Sequence, residues 1–138
     1  IARRTVRAEG FPRFAAVALL TGYAWLAAAG IAWAAMPFVP AARDAALHAL
    51  GLGFVFSMIF AHAPLIVPVV ARVRMRFVPA FYAPLALLHA SLLLRLGAAP
   101  FDAGLRLWGG VLHAVAIALF VATLVYAIRS RPVTAHAN

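Results

Sequence analysis

The sequence has no cysteine and no lysine, and its only acidic residues are Glu9, Asp44 and Asp102, set against twelve arginines. Without cysteine, disulfides, iron–sulfur ligation and thiolate metal sites are excluded, while the redox compartment stays open. Charge of either sign is scarce: 11% of residues are charged and 67% are hydrophobic. A globular chain is roughly half apolar and about a quarter charged, so a soluble domain is excluded. None of the acids falls inside an apolar run. No Ser/His/Asp arrangement and no glycine loop able to cradle phosphate occurs, which excludes hydrolytic and nucleophilic chemistry of the usual kinds. The net charge of +9 would point to nucleic acid in a soluble protein. Here the arginines cluster at the ends of apolar runs, where topology and lipid headgroups account for them, and nucleic acid is not an expected partner.

What remains is a single integral membrane domain over residues 1–138. A spanning helix needs around 20 apolar residues, and four runs qualify, at approximately 14–36, 45–70, 77–94 and 107–128. A basic arm precedes the first, and Pro37 and Pro40 end it; that run is too long and too poorly flanked for a cleaved signal peptide. Gly22 and Gly30 are small positions where a neighbouring helix can approach. The second run carries Pro64 and Pro68, read as kinks. The third is broken early by Pro79 and Pro84, and the loop after Arg95 is a turn by composition, with Pro100 and Asp102. Nine arginines (3, 4, 7, 13, 72, 74, 76, 129 and 131) fall on one side of the membrane and three (43, 95 and 106) on the other. By the positive-inside rule the sequence predicts an all-α four-helix bundle with both termini cytoplasmic, in a bacterial inner membrane.

Histidine carries the chemistry. An ionisable side chain within a span is costly and marks a functional site by default, and this chain has four, His48, His62, His89 and His113. His48 and His62 are 14 residues apart, which on a 3.6-residue helix returns to within roughly 40° after a rise of about 21 Å. Both are therefore expected on one stripe, with Gly51, Val55 and Met58 between them. Counting from the span ends gives a depth order of His48, His113, His89, His62 from outside to inside. The pairs this suggests are His48 with His113 and His62 with His89. Paired neutral imidazoles facing across a bundle are how b-type cytochromes hold haem iron. Gly51, Gly53, Gly109 and Gly110 offer bare surfaces for a flat macrocycle. Arg43, Arg95 and Arg106, the arginines on the sparsely charged side, are candidate partners for propionates. Met58 reads as core packing or as a soft copper ligand, Tyr82 as an interfacial anchor, and His136 of the tail as unrelated to the site.

The stretch H-A-L-G-L-G-F-V-F-S-M-I-F-A-H-A-P-L-I-V-P resembles the histidine helices of small membrane proteins related to subunit I of haem–copper oxidases, and also the NnrS family, haem- and copper-containing membrane proteins linked to nitric oxide metabolism. The likeness extends loosely to L-L-H-A-S-L-L-L-R and covers less than a third of the chain. It implies that His48 ligates metal, with Gly51 and Met58 beside it. Those families have more helices, so the likeness implies a minimal relative, a fragment, or a bundle completed by other subunits. The oxidase copper cluster, with its following His-His pair, is absent from this sequence, so the resemblance implies haem binding and not oxygen reduction.

The expectation is thus a membrane-embedded haem protein. It holds one or two haems b through His48, His62, His89 and His113, and transfers electrons within a larger redox complex or a homo-oligomer. Two alternatives stand beside it. One is a structural or assembly subunit whose histidines bond between helices; the other is a copper- or metal-handling membrane protein.

Overall fold

A computed structural model describes residues 9–98 and 101–130. The basic arm up to residue 8, Pro100 and the tail from Arg131 lie outside the described residues. Four helices are long and apolar enough to cross a membrane: α1 (Phe11–Ala35), α2 (Ala42–Ala71), α3 (Tyr82–Ala98, led in by a 3-10 turn at Pro79–Phe81) and α4 (Ala103–Arg129). No strand occurs among the described residues. The chain is an all-α, multi-pass membrane protein. Its backbone polar groups are satisfied within each helix, as a bilayer requires.

The termini of the helices differ from expectation in ways that local chemistry explains. α1 starts at Phe11, taking in Pro12 and Arg13 from the basic arm, because proline fits a first turn whose N–H groups have no intrahelical partner. For the same reason Pro84, two residues into α3, opens that helix and does not break it. Pro64 and Pro68 lie within a helix that continues to Ala71. Asp102 caps α4, its carboxylate accepting from the Leu105 N–H at 2.9 Å. Replacing Asp102 with alanine is expected to cost about 1 kcal/mol of stability, measurable as a lower midpoint in detergent-phase unfolding.

One departure has large consequences. Within α2, residues Ala49–Val55 form a π-helix, closed by the Phe56 N–H reaching back to the Gly51 carbonyl. A residue inserted into an α-helix turns everything after it by about 100°. Ser57, fully buried, donates its hydroxyl to the Gly53 carbonyl inside this wide turn.

Packing follows small residues. A Cβ added at Gly53 would lie 2.5 Å from Cγ of Trp25, so the α1 indole rests directly on the α2 backbone. Gly22 returns the arrangement, receiving Met58 and Ser57 of α2 at 2.7 and 2.9 Å from the same notional carbon. Gly30 meets nothing within 4 Å and plays no such part. At the end where α1 begins, Phe11, Phe14, Phe77, Phe81 and Tyr82 pack ring against ring. Phe60 of α2 stacks on Phe120 of α4 with centroids 3.8 Å apart. At the opposite, distal end, where α1 turns into α2 and α3 into α4, polar residues gather.

Candidate functional site

That distal cluster is assembled by three helices. Asp44 lies in the first turn of α2 and His48 one turn on, so an i, i+4 spacing brings them together. The Nδ1 of His48 is 2.8 Å from the Asp44 carbonyl oxygen and 3.3 Å from its carboxylate. Both neighbours are acceptors, so Nδ1 carries the proton and donates. The lone pair of the neutral ring is then on Nε2, the tautomer that can bind a metal.

Arg95 reaches across from α3. Its Nη2 lies 3.4 Å from the Asp44 carboxylate, and its Nη1 donates to the Arg106 carbonyl of α4 at 3.5 Å. The close approach of α3 and α4 depends on Gly109, where an added Cβ would come within 2.8 Å of Arg95 Cβ. Only 18% of the Arg95 side chain is exposed, and its Nε is buried without a partner. Arg43 and Arg106 stand exposed at the same end.

His113 follows Gly109 by one turn of α4. It is 3% exposed, and neither ring nitrogen makes a hydrogen bond. The Gly109 carbonyl lies beside it short of a formed bond, and His48 and Arg95 are its polar neighbours. Buried polar atoms in a native chain nearly always have partners, and an unpartnered one calls for an explanation.

The other two histidines are not brought together. His62 is exposed, its Nδ1 donating to the Met58 carbonyl at 2.7 Å. It opens onto a groove of about 410 Å³ along the outer surface of α2, lined by Met58, Ile59, His62, Ala63, Ile66 and Val67. The π segment is the physical reason: it breaks the 3.6-residue phase, so His48 and His62 do not share a stripe. His89 serves α1, accepting a hydrogen bond at Nδ1 from the Trp25 indole at 3.0 Å. With Nδ1 as acceptor, the neutral ring holds its proton on Nε2, which is buried and unpartnered. In this state His89 presents a donor, not a metal ligand.

Of the glycines expected to bed a macrocycle, Gly53 is covered by Trp25 and Gly109 by Arg95. Gly51 is open, and Gly110 has only Arg95 Nη1 nearby, 3.8 Å from a notional Cβ. No group of three or more histidine or acidic side chains able to hold a metal ion occurs among the described residues. Met58 packs on Gly22. Asp44 was absent from the expected site, although its D-x-x-x-H spacing to His48 is visible in the sequence. Trp25 was absent too, and no sequence signal joins it to His89, 64 positions away.

A family model described as Domain of unknown function (DUF8744) matches residues 1–129, and the chain belongs to that family. No curated protein and no solved structure matches the chain.

Proposed function

We propose that this DUF8744-family chain is a haem-binding membrane protein of the electron-transfer kind, with His48 and His113 as the axial imidazoles. The observation that carries the reading is His113, whose two ring nitrogens are buried without partners on the helix face next to His48. A ligand on one of them would resolve the deficit. His48 meets the complementary requirement, since Asp44 holds its Nδ1 proton and leaves Nε2 free. A carboxylate on the far nitrogen also raises the basicity of a ligating imidazole, and Arg95 keeps that carboxylate in place. Arg43, Arg95 and Arg106 supply cations at the same end for propionate oxygens, and Gly51 and Gly110 leave backbone open to a flat ligand.

Haem held by His48 and His113 would supply reversible one-electron transfer, and with both histidines bound the iron would not take up oxygen or nitric oxide. The arginine distribution supports termini on the cytoplasmic side of a bacterial inner membrane. A bundle of four spanning helices, fewer than in the families it resembles, supports a role within a larger redox complex. The test is optical. Protein purified from haem-replete cells should show a Soret band, reduced α-bands of b type and one haem per chain by pyridine haemochrome. A colourless preparation from such cells refutes the proposal.

The Trp25–His89 hydrogen bond favours a different role for His89, as a strut between α1 and α3. If every histidine were of that type, the chain would be a structural or assembly subunit and colourless.

A further inference from the structure

The stretch joining α2 to α3, at the opposite end from the histidine cluster, has a pattern of its own. In R-V-R-M-R-F, Arg72, Arg74 and Arg76 are exposed while Val73, Met75 and Phe77 are half-buried. Residues 73–78 are not helical, and from Arg72 to Phe77 exposure alternates at every second position, as it does along an extended chain. Met75 and Phe77 pack against the bundle core. The strip is tied down along its length. The Val73 N–H bonds to the Pro68 carbonyl at 3.0 Å, the Arg76 N–H bonds to the Ala127 carbonyl of α4 at 3.2 Å, and the Phe77 ring meets Phe11 edge-on at 5.3 Å. Arg72 ends α2 in the left-handed conformation (φ 53°), a position that glycine or asparagine ordinarily fills.

Three guanidinium groups therefore stand in a row on a rigid backbone. Among the described residues none of them has an ion-pair partner; Asp44, the acid that does form ion pairs, lies at the distal end. Arg13 and Arg129, both exposed, lie at the same end as the row.

We propose that Arg72, Arg74 and Arg76 form a binding surface for the phosphates of anionic phospholipids. The row directly follows the end of the spanning helix α2 at Ala71. The planar guanidinium fork matches phosphate oxygens two at a time, which a lysine ammonium does not. Alternate residues of an extended chain are about 6–7 Å apart, so each arginine takes its own phosphate and the row selects a patch of several lipids over one soluble anion. Because the apolar side of the strip is already docked, little backbone ordering is left to be met on binding. A topology signal alone asks only for positive charge on one side; this surface asks for arginine, in this row.

The test uses the full chain in neutral detergent, with native mass spectrometry of lipid retained from added phosphatidylglycerol or phosphatidylcholine. Wild type is expected to retain phosphatidylglycerol preferentially. Each arginine changed to glutamine should weaken retention about fivefold, and R72Q/R74Q/R76Q on the order of a hundredfold. Millimolar inorganic phosphate should not displace the lipid. The triple lysine variant should fall between wild type and the triple glutamine variant. If the triple glutamine variant does not fold, Arg74→Gln alone should still show the fivefold loss. Equal retention of the two lipids, an unchanged triple variant, or displacement by free phosphate would each overturn the proposal.

Discussion

Protein carrying His113→Ala should be purified without haem, while His62→Ala and His89→Ala remain coloured. The three substitutions remove the same ring from the same bundle and differ only in what the ring does. At position 62 the imidazole faces outward from α2, and at 89 its Nδ1 is occupied by the Trp25 donor. At 113 both nitrogens are buried and free of hydrogen bonds. His48→Ala should match His113→Ala, and exogenous imidazole should restore part of the Soret band in either. A second readout separates ligation from packing. In chain expressed without haem, His113 contributes no hydrogen bond and carries the desolvation penalty of its polar atoms, on the order of 1–3 kcal/mol. His113→Leu should therefore leave the haem-free chain as stable as wild type or more so. A histidine that served as a strut would give the opposite sign. Full haem content in His113→Ala would end the assignment of His113 as a ligand.

The second large effect is expected from a single methyl group. Gly53→Ala puts a carbon 2.5 Å from Trp25 Cγ and 2.6 Å from Trp25 Cβ. Those atoms lie at the root of the indole, so α1 itself must move, and the indole N–H must leave His89 as it does. Helix propensity favours alanine by about 1 kcal/mol, but overpacking of this kind costs roughly 1–3 kcal/mol, and the loss of the Trp25–His89 bond adds to it. Gly30→Ala is the matched control: the same methyl on α1 meets nothing within 4 Å, so only the propensity gain of up to about 1 kcal/mol remains. Reversible unfolding in mixed micelles should show opposite signs for the two substitutions. Equal effects would mean that the α1–α2 contact at Gly53 is not as described.

What could be read from the sequence alone follows from which interactions are local. Long apolar runs, their number and their approximate limits depend on composition over some twenty residues, and the four spans emerge from it directly. Asp44 and His48 are one turn apart and equally legible. The helix ends are less so: the basic arm conceals that α1 begins at Phe11 with Pro12 in its first turn, and Pro84, which reads as a breaker, occupies the first turn of α3. The stripe from His48 to His62 assumed one helical period along all of α2, and the wide turn at Ala49–Val55 invalidated it; Gly51 and Gly53 there carry no unique signature of a π segment. Long-range contacts were out of reach. Nothing in the order of residues links Trp25 to Gly53 and His89, or seats Arg95 on Gly109. Two of the four glycines assigned to a ligand were consumed by such contacts.

The wide turn in α2 also stores one surplus position. Deleting a residue between Ala49 and Val55 would let the span fall back to an ordinary ladder without losing continuity, yet it would swing the Phe56–Ala71 half by about 100° against the Ala42–His48 half. His62 would then swivel back into line with His48, and Phe60 would leave Phe120. The span is in effect two independently indexed shafts, so its distal half can be tuned to Asp44, Arg95 and α4 without dragging the lipid-facing surface of the other half along with it.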